Sequence, residues 1–367
     1  MFTNQNKLKN HSFFMRLALA QAYKNLGNTG ENPSVGCVIT KSNSIISLGY
    51  THINGRPHAE QNAISSCKFN LKGSEIYVTL EPCSHYGNTP PCTKAIIKKG
   101  LKKVFFSLND PDIRSYNKSE KLFKKKNISV SKGLCSIETN NLYRSYFKFK
   151  KDLLPFVTCK LAISKDYFTI NKKNKWITNY FSRSRAHLIR SYHDCIITSS
   201  RTILSDNSRL TCRIAGLSNK SPARIILDAK LKIPLKSNII KEANKYRTIV
   251  FYNRLNKKKI KLLKKMKVKV CKISTDKNKN LNLLEVLTKA KNLGYHRILL
   301  ESGMRLITNF VSKNLVDDFI LFVSNKNLGI YGSGKINEDL KLLLKKRKSH
   351  LEKVNLFGEK LLIYKLR

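Results

Sequence analysis

A chain of 367 residues, 41% of them hydrophobic, suits two domains, each able to bury an ordinary core. No run approaches the roughly 18 apolar residues that a membrane-spanning helix needs, and the polar stretch Met1 to Asn10 lacks an apolar segment with a cleavage site, so neither a membrane protein nor a secretory signal is expected. The 71 basic against 23 acidic residues give a formal charge of +48, but the excess is spread over both halves in short runs such as Lys124–Lys126, Lys257–Lys259 and Lys345–Lys348, and reads as a solvated surface that attracts phosphorylated small molecules rather than nucleic acid.

In chain order, Phe13 to Leu26 has apolar residues at three- and four-residue spacing and predicts a helix. Val35–Ile39 and Ile45–Tyr50 predict a strand pair. A helix is expected from His58 to about Cys67, a strand over Glu75–Leu80, and a helix over Thr93–Lys99 with Cys92 at its start. Val104–Leu108 is the next strand, followed by a helix-strand pair to about Val130 and a helix with linker over 136–151. Alternating strands and helices predict a three-layer α/β domain over residues 1–150. Nine cysteines, an odd number, form no disulfide framework, which points to a reducing cytoplasm.

The chemistry concentrates between His58 and Cys92. His58, Cys83 and Cys92 offer three zinc ligands of suitable softness and leave a fourth tetrahedral position open for water. Water on such a metal ionises near pH 7. Glu60, two residues after His58, is free to face that water as a proton shuttle instead of binding the metal. Taken singly, each cysteine is as well explained as a small buried hydrophobe. Together, with a proline before each cysteine and His-x-Glu upstream, they match the zinc-deaminase pattern H-x-E…P-C-x-x-C, except that eight residues separate the cysteines here.

Asn32-Pro33-Ser34-Val35-Gly36-Cys37-Val38, His58-Ala59-Glu60, Leu80-Glu81-Pro82-Cys83-Ser84-His85, Thr89-Pro90-Pro91-Cys92 and Asn109-Asp110-Pro111 resemble, in order and spacing, the bifunctional riboflavin-biosynthesis deaminase/reductase family. The resemblance implies a cytidine-deaminase-like fold, zinc on His58, Cys83 and Cys92, Glu60 as proton donor, and hydrolytic deamination of 2,5-diamino-6-(5-phosphoribosylamino)pyrimidin-4-one. Two departures bear on substrate binding. No glycine follows Asp110-Pro111 as far as Lys118, and Thr51-His52 follows Gly49-Tyr50 where the family often has His directly.

From about residue 151 to the end, Phe156–Ala162, Ala223–Asp228, Thr248–Phe251, Arg297–Leu300 and Phe319–Val323 read as strands of a second α/β domain, 151–367. No G-x-G-x-x-G fingerprint occurs, so periodicity alone does not suggest a nicotinamide cofactor. Gly329 to Lys335 imitates part of a phosphate loop, after a strand and before a helical stretch. Ile336 then supplies no hydroxyl for magnesium, which argues against nucleotide hydrolysis.

Lys160–Asp166, Trp176-Ile177-Thr178, Thr198–Thr202 and Glu301-Ser302-Gly303 resemble the reductase half of the same family, which implies a dihydrofolate-reductase-like fold and NADPH reduction of the ribosyl group to ribityl. The resemblance carries cofactor contacts onto Ala162, Trp176, Thr202, Asp206 and the segment from Gly303, and substrate contacts onto Asn174, Arg190, Leu210, Arg213 and Glu301. It also suggests a homo-oligomer built through this domain. Asp166-Tyr167, Asn174, Asp206-Asn207-Ser208 and Asn325-Lys326 depart from the family's motifs, leaving open drift with activity kept or a degenerate reductase beside an active deaminase. Two further rivals are a nucleic-acid base deaminase, which needs the short cysteine spacing and gives the second domain no task, and a basic RNA-binding protein whose zinc is closed by a fourth ligand such as His85.

Overall fold

The computed structural model describes residues 2–152 and 154–367. Met1, where the first expected domain begins, and Leu153, just inside the second, lie outside them. The chain falls into two compact units, Met1–Leu153 and Leu154–Arg367. Among the described residues, no helix is long and apolar enough to cross a membrane.

The first unit runs α1 (Phe2–Tyr23), β1 (Gly36–Lys41), β2 (Ser44–Tyr50), α2 (Ala59–Ser66), β3 (Glu75–Leu80), α3 (Cys92–Lys98), β4 (Lys103–Leu108), α4 (Ser119–Lys124), β5 (Ser129–Lys132) and α5 (Ser136–Asp152). Its sheet has the order β2-β1-β3-β4-β5, with β1 antiparallel to both neighbours and β3, β4 and β5 parallel. Successive strand residues point to opposite faces, and two glycines show that both faces are covered. A Cβ on Gly36 would lie 1.8 Å from the Ala18 carbonyl oxygen of α1. One on Gly49, which pairs with Cys37 next along β1, would lie 2.2 Å from the Ala59 carbonyl oxygen of α2. Helix, sheet and helix therefore form three layers, with both helices packed backbone-close to the sheet.

Helix α1 starts at Phe2, eleven residues before the expected Phe13. The polar opening stretch has no apolar period to mark it, so only the tail of the helix was visible in the sequence. Helix α3 starts at Cys92, as expected, and ends at Lys98, one residue before the expected Lys99, within the usual ambiguity of helix ends.

The second unit comprises β6 (Phe156–Ile163), β7 (Phe168–Asn171), α6 (Tyr180–Ser191), β8 (Cys195–Ser199), α7 (Ser200–Asp206), β9 (Ala223–Leu227), α8 (Asn238–Lys241), β10 (Thr248–Tyr252), α9 (Lys257–Lys265), β11 (Lys269–Lys272) and α10 (Leu283–Asn292). It continues with β12 (Arg297–Leu300), α11 (Met304–Ser312), β13 (Asp318–Val323), β14 (Gly332–Lys335), α12 (Glu338–Lys345), β15 (Ser349–Leu351) and β16 (Lys360–Lys365). Nine strands form one sheet, β11-β10-β9-β8-β12-β6-β13-β16-β15, parallel from β11 to β13 and antiparallel beyond. Its central strands are apolar on both faces, as a doubly covered parallel sheet requires. Ile225, Ile249 and Ile298 pack with α10, α11 and α12, whereas Ile226, Val250 and Leu299 pack with α6 to α9.

The segment Gly329–Lys335 is not a phosphate loop. After one 3-10 turn, Gly332–Lys335 forms β14, antiparallel to β7. Gly332 is required there because a Cβ would meet the Phe168 ring at 2.3 Å.

Candidate active sites

In the first unit, three elements deliver three ligand atoms to one place. His58 is the residue before α2; its side chain does not cap the helix and turns to the site instead. Cys83 follows β3, and Cys92 opens α3. His58 Nδ1 lies 3.6 Å from Cys83 Sγ and 3.4 Å from Cys92 Sγ, and all three ligand atoms fall within 4.8 Å of one another. The Cys92 amide donates to Cys83 Sγ at 3.3 Å. That helix-terminal N–H favours a thiolate. The Cys92 thiol and His58 hold Cys83 down at about 4, while Cys92 is pushed up by the hydrogen bond it gives to Cys83 and by burial. The two sulfurs thus share one proton, which a bound dication would displace.

One imidazole and two thiolates at this spacing fit a tetrahedral zinc with one position left over. Among the described residues no fourth ligand joins the group. His85, the candidate for closing the site, instead bonds Ser115 Oγ through Nδ1 at 2.9 Å. Glu60, in the first turn of α2, is 3% exposed, and burial pushes its carboxyl up to about 7.

In the second unit the structure unites residues that the sequence had placed apart. Arg190 on α6 forms a two-pronged bond with Glu301 at the end of β12, Nε to Oε1 at 2.7 Å and Nη2 to Oε2 at 2.9 Å. Lys160 on β6, not singled out beyond its motif, lies 3.9 Å from the same carboxylate. Burial alone would raise Glu301, but the Arg190 charge and hydrogen bonds, with Lys160 beside them, hold it at about 2. Arg190 also donates to the Thr211 carbonyl at 3.1 Å, beside buried Leu210 and exposed Arg213. Asn174 lies exposed after β7 with its amide donating to Asn171, and makes no direct bond to Arg190 or Glu301.

Of the cofactor candidates, Thr202 in the first turn of α7 and Gly303 just before α11 come together. Ser199, Thr202 and Ser302 hydroxyls form a ring of 3.0–3.1 Å contacts, and the Gly303 amide donates to Thr202 Oγ1 at 3.3 Å. Nothing lies within 4 Å of where a Gly303 side chain would begin. Hydroxyls and free helix N–H groups around open space suit the phosphates of NADPH. Ala162 is half-buried on β6, and Asp206 is exposed at the end of α7. Trp176 is 51% exposed, which removes a core role, and the Arg183 guanidinium stacks 4.9 Å from its ring.

The same region carries a pH signature. Burial, then the charges of Arg190 and Arg213, depress His187 to about 4; burial, then Arg297, depress His193 to about 3. Asp194 is raised by burial to about 7. Near pH 5 the unfolded chain binds two histidine protons that the folded unit refuses, while the folded unit keeps one proton on Asp194. The net difference, about one proton at pH 5 and shrinking as the unfolded histidines lose theirs towards pH 6.5, makes stability rise by about 1 kcal/mol per pH unit between pH 5 and 6. Urea unfolding followed by the fluorescence of Trp176, the single tryptophan, should show this slope between pH 5 and 6. His193→Gln should flatten it.

Comparison with known proteins adds two family matches, the cytidine and deoxycytidylate deaminase zinc-binding region over residues 8–108 and the RibD C-terminal domain over residues 155–363. The chain is 34% identical to riboflavin biosynthesis protein RibD of Aquifex aeolicus over 359 residues, covering 96% of this chain and 97% of that one. It is 33% identical to RibD of Actinobacillus pleuropneumoniae, over 90% of each. Among solved structures, the diaminohydroxyphosphoribosylaminopyrimidine deaminase/5-amino-6-(5-phosphoribosylamino)uracil reductase of Thermotoga maritima matches with a TM-score of 0.82 and 29% identity over 98% of this chain and 99% of that one. Acinetobacter baumannii RibD matches with a TM-score of 0.81 and 28% identity over the same shares.

Proposed function

The chain belongs to the RibD family, a bifunctional deaminase and reductase of riboflavin biosynthesis that uses zinc and NADPH, and from that premise we propose which of its residues carry each step and on what substrate. The first unit deaminates the diaminopyrimidinone that bears a phosphoribosylamino group. The second reduces the ribosyl group of the deaminated product to ribityl. The observation that carries the reading is the open three-ligand group His58, Cys83 and Cys92 with Glu60 buried beside it.

Zinc supplies a water that ionises near neutral pH, and NADPH supplies a hydride. The protein's part is orientation and proton transfer. His58, Cys83 and Cys92 hold the metal; Glu60 takes the proton from the water and returns it to the departing ammonia. In the reductase unit, Arg190 and Glu301 fix one another and orient the sugar phosphate end, with Asn174, Leu210 and Arg213 around it. Ala162, Trp176, Thr202, Asp206 and Gly303 receive the cofactor. The intact Arg190–Glu301 pair favours an active reductase over a degenerate one. A cytoplasmic homo-oligomer acting on small phosphorylated pyrimidines, without a nucleic-acid partner, completes the proposal.

Mass spectrometry of the substrate after incubation with enzyme, zinc and NADPH tests both steps. The expected product is deaminated and reduced. Chelation of zinc should abolish deamination and leave reduction of the deaminated intermediate unchanged. A product that stops at deamination would remove the proposed reductase role.

A further inference from the structure

Glu81 stands two residues before Cys83 and is 3% exposed, yet none of the four hydrogen bonds to its carboxylate comes from a proposed metal ligand. Its carboxylate receives four donors from one segment, the connection from β4 to α4 and the first residue of that helix. Oε2 accepts the amides of Asp110 (3.3 Å) and Asn117 (3.1 Å), and Oε1 accepts the amide and hydroxyl of Ser119 (3.2 and 2.8 Å). This is the segment that lacks the glycine expected after Asp110-Pro111. The chain turns there on Asn117, whose φ of 56° is left-handed, a conformation asparagine tolerates better than most residues.

The far side of the segment meets the metal-binding loop. Ser115, fully buried, accepts the Ser84 amide at 3.4 Å and bonds His85 Nδ1 at 2.9 Å, while Ser84 Oγ donates to the Arg114 carbonyl at 3.4 Å. Ser84 and His85 directly follow Cys83. Contacts therefore run in series from the Glu81 carboxylate through residues 110–119 to the wall beside the metal site.

We propose that Glu81 is a positioning residue for deamination, whose carboxylate holds Ser115 against Ser84 and His85 and so fixes the wall that receives the pyrimidine. The proposal rests on the deaminase reading of this site. The metal ligands are fastened independently. Cys83 is secured by the Cys92 amide, His58 and Cys92 sit at helix starts, and the Glu81 backbone is held by its amide bond to the Leu108 carbonyl (2.8 Å). Loss of the carboxylate should thus loosen substrate binding and spare the metal chemistry. A carboxylate is needed because all four partners are donors; the amide nitrogen of a glutamine would face N–H groups.

Steady-state deamination by the full-length zinc-loaded enzyme tests this on the proposed pyrimidine substrate. Glu81→Gln should raise KM by about tenfold or more, with kcat within about threefold and zinc content unchanged, the pattern of lost binding rather than lost chemistry. Glu81→Asp should recover part of the effect. Ser115→Ala should also raise KM, and the double variant should be no worse than Glu81→Gln alone, because contacts in series do not add. An unchanged KM, additive effects in the double variant, or joint loss of zinc and kcat would overturn the proposal. Should Glu81→Gln fail to fold, Ser115→Ala decides: an unchanged KM there overturns it too. Absence of deamination in the unmodified enzyme would instead sink the reading of the site itself.

Discussion

Glu60→Gln should lower the kcat of deamination roughly a thousandfold or more, as expected when a positioned general acid and base is removed, while zinc content and reductase activity stay unchanged. The substitution keeps shape and volume, so α2 and the packing of Ala59 and Ala63 around Gly49 are undisturbed. It removes the one property the step needs. A carboxylate can take a proton from water and give it to a leaving amine; an amide does neither at any accessible pH. Glu60 suits this task because it is buried and its carboxyl lies at about 7, near the pH at which both halves of the transfer balance. Its position in the first helical turn, after His58 has ended the extended segment, keeps its oxygens out of the ligand set. Metal content and single-turnover rates of the variant decide the matter. Deamination retained at near-normal rate would overturn the role of Glu60, and zinc lost together with activity would make it a ligand rather than a proton carrier.

How much of this was legible in the sequence follows from the range of each interaction. The metal group could be read because soft ligands are few and their spacing, with a proline before each cysteine, is local information. The strands could be read because apolar runs such as Ile225-Ile226-Leu227 and Ile298-Leu299-Leu300 are buried on both faces. Glu81 and Ser115 could not be read for what they touch, since three of the four donors to Glu81 are backbone amides 29 to 38 positions away, and amides carry no signature of residue type. Gly329–Lys335 shows the opposite case, a local pattern without the function, already undercut in the sequence by Ile336. Its glycines suit a phosphate loop in sequence, but Gly332 is there to admit Phe168. A single tryptophan carries no local signal that separates a core side chain from a surface one, and the exposure of Trp176 is visible only in the structure.

The second large effect concerns Arg190 and Glu301, which lie 111 positions apart and were each expected to face substrate without any sign that they pair. Their side chains are 13% and 10% exposed. At this burial, removing one partner leaves a charge without compensation, a cost of about 3–5 kcal/mol. Glu301→Gln should therefore destabilise the second unit by about that amount near neutral pH, because it strands both Arg190 and Lys160 as cations. Arg190→Met should act similarly, by leaving Glu301 with only Lys160 at 3.9 Å. The double variant should be less destabilised than the two singles summed, since it removes both charges at once. The sign with pH is fixed by Glu301, held at about 2 against about 4.3 unfolded. The pair stabilises fully above the unfolded value and loses that contribution as pH falls through about 2. Urea unfolding read by Trp176 measures stability, and NADPH oxidation measures function. Both singles should lose reduction and keep deamination, since the zinc group belongs wholly to the other unit. Wild-type reduction in a well-folded Glu301→Gln enzyme would show that the pair serves the fold alone, and the sugar phosphate would then have to be oriented by Arg213 and its neighbours instead.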